Sequence, residues 1–125
     1  MSVAVGACGQ ADLKVTENDT ALAMGTGEVE VLATPRVVQL CEEASVKALG
    51  SDLPQNQTSV GLRVELTHIT PVSVGSEVKA TATLERCEGR RVFFSVSVAD
   101  ARGLVAAGRI TRVLVERSAF LDKAR

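Results

Sequence analysis

Residues 34–70 read TPRVVQLCEEASVKALGSDLPQNQTSVGLRVELTHIT, and within them the spacing of apolar residues changes from helical to extended. Thr34 followed by Pro35 reads as a helix cap and first helical position, and Gly50 as the stop. At about 100° per residue, Val37, Leu40, Cys41, Ala44 and Ala48 form an apolar stripe flanked by Val38 and Leu49. Arg36, Gln39, Glu43 and Lys47 group on the opposite side, with Glu43 and Lys47 spaced for an i,i+4 ion pair. From Thr58 to Thr70 the period is two. Val60, Leu62, Val64, Leu66 and His68 share one face of a strand, and Arg63, Glu65 and Thr67 the other. A helix of about 22 Å therefore precedes a long strand whose apolar face includes the histidine.

Working outward, residues 71–76 supply turn chemistry, after which Val78, Ala80, Ala82 and Leu84 alternate with Lys79, Thr81, Thr83 and Glu85. A turn at Glu88 and Gly89 leads to Val92, Phe94, Val96 and Val98 on one face of a further strand. Another short turn precedes Leu104 to Glu116, whose alternation slips near Gly108, as a bulge or strong bend would make it. Residues 11–24 read as a weaker first strand or pair. One helix followed by strands on short loops specifies an α+β domain with an antiparallel sheet, one domain over residues 1–125. A single helix covers one face of a curved sheet of five or six strands, and its long edges favour self-pairing into a homodimer.

Composition narrows the function. Fourteen Lys and Arg against fifteen Asp and Glu give a formal charge of −1, with no basic field for phosphate backbones. Without Trp or Tyr, and with three Phe, stacking platforms for single strands are not available either, so nucleic acid is excluded as a partner. One histidine and three scattered cysteines, Cys8, Cys41 and Cys87, have no metal-ligand spacing and fit reduced thiols, so no metal is expected. No stretch approaches the ~20 apolar residues of a membrane span, and the start MSVAVGACGQADL lacks the basic and long apolar regions of a signal peptide. The expected location is the cytoplasm.

Three polar residues stand where packing alone would not put them. His68 continues an apolar strand face, where a buried, hydrogen-bonded histidine is the simple alternative. Glu42 lies beside Val38 and Leu49 at the stripe's border, where a carboxylate can also just reach water. Thr34 is accounted for by capping. Together they are more specific: a hydroxyl at a helix start, a carboxylate two turns along and an imidazole on the next strand could line one pocket. The helix start adds backbone N–H groups for a carbonyl oxygen that becomes negative, which completes the parts for acyl transfer to water.

At these residues the sequence resembles the hotdog-fold thioesterases, most closely the fluoroacetyl-CoA thioesterase-like branch. The resemblance runs from Asp19-Thr20-Ala21 to Phe120. It is carried by Val31-Leu32-Ala33-Thr34-Pro35, Cys41-Glu42-Glu43-Ala44, Ser59-Val60-Gly61, Val64 to His68 and Glu88-Gly89-Arg90-Arg91. It implies a long helix wrapped by the sheet, protomers paired through their sheets as a dimer or tetramer, and acyl-CoA bound at the dimer interface. It also places the family's catalytic set on Thr34, Glu42 and His68, and the strand glycine beside the substrate on Gly61. The implied reaction is hydrolysis of an acyl-CoA to free acid and CoA, with no cofactor beyond the coenzyme A of the substrate. Glu42 would be nucleophile or general base, Thr34 would orient the carboxylate or thioester, and His68 would polarise the acyl group or assist the leaving thiolate.

Two positions depart from the family pattern. Gly108-Arg109-Ile110-Thr111-Arg112 stands where relatives carry Gly-x-His-x-Arg, and Thr26-Gly27-Glu28-Val29-Glu30 has no Phe where the branch has an aromatic gate. A small or medium acyl group is implied rather than fluoroacetyl selectivity. Arg63, Arg90, Arg91 and Arg112 read as solvated surface arginines, or as ligands for CoA phosphates. The alternative function is a non-catalytic acyl-CoA-binding hotdog module. A hydratase ranks behind both, because no Asp accompanies His68 at a recognisable spacing.

Overall fold

The computed structural model describes residues 3–125, so the first two residues of the span 1–125 lie outside the described residues. The first strand, β1 (Cys8–Lys14), begins earlier than expected and is single. Beyond Lys14 the chain turns into a 3-10 turn at Glu17–Asp19 and a short helix, α1 (Ala21–Met24). Local side chains divert it from the sheet: the Asp19 carboxylate accepts from the Thr16 N–H at 2.8 Å, and the Thr20 hydroxyl accepts from the Ala23 N–H at 3.2 Å.

The long helix α2 (Thr34–Leu49) has the expected bounds, and Gly50 ends it at φ +52°. Val37, Leu40, Cys41, Ala44, Ala48 and Leu49 are buried as the stripe requires, while Glu43 pairs with Arg36 at 3.3 Å rather than with Lys47. The cap differs from expectation. Ala33 is the N-cap and Thr34 is already inside the helix, where its hydroxyl is free to bond elsewhere.

Among the described residues, β1, β2 (Gln57–His68), β3 (Glu77–Glu88), β4 (Arg91–Asp100) and β5 (Gly103–Glu116) form one sheet in the order β1-β3-β4-β5-β2. Every neighbouring pair is antiparallel. A last short helix, α3 (Arg117–Lys123), follows β5. The faces of β3 and β4 match the alternation, with Val78, Ala80, Ala82, Leu84, Val92, Phe94, Val96 and Val98 all in the core under α2.

The outer strands carry the departures. In β5 the extra residue is Val105, since Val98 faces Ala106 and Ala99 faces Leu104; the slip lies three residues before Gly108. Gly108 serves a different need, because a Cβ there would overlap the Glu65 carbonyl of β2. In β2, Gly61 faces Arg112 and Arg63 faces Thr111, which leaves Leu62 as an extra residue. Ser59 and Gly61, opposite Leu114 and Arg112, thus share the α2-facing side with Val64, Leu66 and His68, and Val60 lies on the other side. The expected single apolar face from Val60 to His68 is split at this bulge. No residue of β2 is fully buried and half of them are exposed, because it forms one edge of the sheet.

Small residues set how closely the helix meets the sheet. A Cβ on Gly9 of β1 would overlap backbone atoms of Ala44 and Ala48 in α2, and backbone cannot step aside as a side-chain tip can. Gly9→Ala is expected to cost about 3 kcal/mol and lower Tm by roughly 10 °C, measured by calorimetry against wild type.

Candidate active site

Two groups of polar side chains lie along α2. At its start the Thr34 hydroxyl and His68 Nδ1 are 2.9 Å apart, and His68 Nε2 lies 3.2 Å from the Thr70 carbonyl. A carbonyl only accepts, so Nε2 carries the proton; in the neutral ring Nδ1 then accepts from Thr34. His68 is half-buried at the end of β2, between the core and solvent. The pair opens on a recess of about 400 Å³ whose walls include Ala21, Val29, Val31 and Ile69, and Thr26 and Gly27 line it without an aromatic ring. The helix start offers few free N–H groups: Pro35 has none, and those of Arg36 and Val37 both go to the Ala33 carbonyl. That leaves the N–H of Thr34.

Two turns on, Glu42 Oε2 accepts from Arg112 Nη1 at 3.0 Å. Arg112 is fixed on its other side by Ser59, donating from Nε to the hydroxyl at 2.9 Å and from Nη2 to the carbonyl at 3.0 Å. The Arg112 side chain is 7% exposed and that of Glu42 36%, so the cation is shielded while the carboxylate still meets an open cavity of about 380 Å³. Burial pushes the Arg112 pKa down from its ordinary value, and the Glu42 charge works against that shift. Gly61 is part of this group, since a Cβ on it would overlap Glu42 Oε2.

The expected site residues therefore form two pairs. Thr34 is joined to His68 and Glu42 to Gly61, but within one chain Thr34 and His68 line one cavity and Glu42 another. Eight residues of helix hold Thr34 and Glu42 about 12 Å apart along the axis. Arg112 is a correction: it is neither a surface arginine nor free to meet a phosphate, being buried against Glu42 and Ser59. Its signal was present in the sequence, for Arg112 alternates with Ile110 and Leu114 and so falls on the core face of β5.

A model of the fluoroacetyl-CoA-specific thioesterase family matches residues 15–118, a span that includes both groups. The chain belongs to that family. It is a thioester hydrolase with the hotdog fold. A fluoroacetyl-CoA thioesterase of Streptantibioticus cattleyicolor is 33% identical over 96 residues, 77% of this chain and 69% of that one. A solved structure of a fluoroacetyl-CoA thioesterase matches at a TM-score of 0.92 and 28% identity, over 100% of this chain and 97% of its own. A thioesterase superfamily member from Thermus thermophilus matches at 0.91 and 26%, over 99% and 92%. A hot-dog-like protein from Thermanaerovibrio acidaminovorans gives 0.88 and 29%, over 96% and 89%. No helix among the described residues is long and apolar enough to cross a membrane.

Cys41 sits directly beside Glu42 but is fully buried, and burial, with the Glu42 charge next to it, pushes its thiol up to about 11. At pH 8 the native protein should react with a thiol reagent at Cys8 and Cys87 alone, which are exposed. Cys41 should join them on unfolding in denaturant, read as one further thiol released per chain.

Proposed function

We propose that this thioesterase hydrolyses a small or medium acyl-CoA to free acid and CoA, with Thr34, His68, Glu42 and Gly61 as its working site. The observation that carries the reading is the Thr34–His68 hydrogen bond at the mouth of an apolar recess beside the start of α2. The acyl chain lies in that recess, and its carbonyl oxygen meets the Thr34 N–H as it becomes negative. Glu42 activates the attack, either by taking a proton from water or by attacking the acyl carbon itself. The C–S bond breaks and the coenzyme leaves as a thiolate that takes up the proton from water. With Glu42 as base the water oxygen goes into the acid; with Glu42 as nucleophile a mixed anhydride forms and water opens it at the glutamyl carbon, so that a Glu42 oxygen leaves in the acid and the water oxygen stays on Glu42. His68, held in place by Thr34 and the Thr70 carbonyl, orients the acyl group. Arg112 keeps Glu42 aimed. The reaction consumes only water and the thioester, and the cytoplasm, where CoA esters are made and used, is the proposed location.

The separation of the two pairs supports a homodimer in which each complete site draws on both chains. Glu42 cannot leave its turn of α2, so the approach has to come from a second copy. β2 is an exposed edge strand with Gly61 near one end and His68 at the other. Antiparallel pairing of two β2 strands, centred near Val64 and Glu65, sets the Gly61 end of one copy against the His68 end of its partner. It also covers Leu62 and Val64, which one chain leaves exposed.

The test is release of free CoA from acyl-CoAs of increasing length. Glu42→Gln, which keeps an oxygen for Arg112 so that the fold survives, and His68→Ala should each lower kcat/KM by ~100-fold or more, a loss of about 2.7 kcal/mol. Gly61→Ala should cut activity and also lower Tm, since the added Cβ displaces the Glu42 oxygen that pairs with the buried Arg112. Acyl-CoA that raises Tm in a wild type without turnover would instead establish a binding module. Single turnover in heavy-oxygen water separates the two roles of Glu42, because only a nucleophile leaves label on its own carboxylate.

A further inference from the structure

Asp19 and Arg36 lie outside both polar groups, yet they are the most protected ion pair away from Glu42. Arg36 Nε donates to Asp19 Oδ1 at 3.1 Å, with side chains 17% and 14% exposed, whereas the Arg63–Glu65 pair has side chains more than 60% exposed. Asp19 Oδ2 accepts from the Thr16 N–H at 2.8 Å and the Thr16 hydroxyl at 2.9 Å. Burial would raise the Asp19 pKa, but these bonds and Arg36 outweigh it and hold the carboxyl below its ordinary value. Arg36 Nη1 continues to Glu43, a wall of the Glu42 cavity, at 3.3 Å.

What this pair anchors is the segment 20–31. Its hydrogen bonds largely close it on itself, Ala21 N–H to Val31 O at 2.9 Å, Leu22 N–H to Val29 O at 3.1 Å and Thr26 N–H to Ala21 O at 2.9 Å. Its tip has little burial to hold it down, for Leu22, Met24 and Val29 are 51%, 40% and 58% exposed. Attachment to the rest of the molecule is concentrated at its root. There Asp19 meets Arg36, the Ala33 N–H donates to the Asp19 carbonyl at 2.9 Å, and Leu32 bonds Val72 at 2.8 Å. Ala21, Thr26, Gly27, Val29 and Val31 of this segment form much of the wall of the recess at Thr34 and His68.

We infer that Asp19 and Arg36 are a positioning pair that fixes the segment 20–31 as one wall of the acyl recess, and thereby sets the acyl length the enzyme accepts. The inference rests on the proposed hydrolysis of acyl-CoA at that recess. A fixed wall rejects long chains and holds short ones against Thr34; a loosened wall admits long chains and holds short ones poorly. A pair with a purely structural role would, when broken, lower activity alike for every chain length.

The experiment compares wild type with Arg36→Met, which keeps the stem and removes the charge, with Asp19→Asn, and with the conservative Arg36→Lys. Two readouts are taken: kcat/KM across straight-chain acyl-CoAs from acetyl to octanoyl, and hydrogen–deuterium exchange of residues 20–31. The ratio of short-chain to long-chain kcat/KM should fall about tenfold or more in Arg36→Met and Asp19→Asn. Exchange should rise in residues 20–31 and not in α2, with Arg36→Lys recovering most of both effects. An equal fall at all lengths, or unchanged exchange in residues 20–31, overturns the inference while the hydrolytic function stands. A wild type that turned over no acyl-CoA would overturn the hydrolytic function first, and this inference with it.

Discussion

A regular strand would put Gly61 and His68, seven residues apart, on opposite faces of the sheet, and the extra residue at Leu62 removes that conflict. Everything polar about the site follows from this local change of phase. With Leu62 outside the register, Gly61 turns toward α2 and leaves the gap that the Glu42 carboxylate occupies. Ser59 turns the same way and meets Arg112, which in turn meets Glu42. His68, on the far side of the bulge, keeps its direction and reaches Thr34. Without the bulge, either Ser59 and Gly61 or His68 would face away from α2.

The helix acts as a ruler against which these strand residues are placed. A rigid α2 holds its first residue and Glu42 two turns apart, so within one chain Thr34 and Glu42 open on different cavities. The close approach of β1 at Gly9 and the buried stripe from Val37 to Leu49 keep the ruler seated on the sheet. Function by a second copy is then a geometrical requirement of the proposed chemistry, and the exposed edge of β2 is the surface that can meet it.

Much of this was legible in the residues. The 3.6 period with Gly50 fixed α2 to the residue, and strict alternation fixed the inward faces of β3 and β4, because in these elements one physical demand, burial of a single face, acts alone. Thr34 resembles a cap in sequence because capping and hydrogen bonding to a distant histidine call for the same hydroxyl. The bulge at Leu62 is masked because Leu fits an apolar alternation, and Gly61 beside it is a faint local trace. The Glu42–Arg112 pair joins residues 70 apart in sequence, and no local period reports a contact of that range. At residues 15–24, the short polar side chains of Thr16, Asp19 and Thr20 outbid the sheet, which is why an expected strand became turns.

If a complete site takes Glu42 from one chain and Thr34 with His68 from another, two variants that each lack one half complement each other. Glu42→Gln and His68→Ala chains, each inactive alone, are unfolded together in equal amounts and refolded. Half of the resulting dimers carry one variant of each kind, and each of these has one intact site out of two, so about a quarter of wild-type CoA release should return. No recovery in a mixture shown to contain mixed dimers would instead place the carboxylate and the histidine of each working site in the same chain.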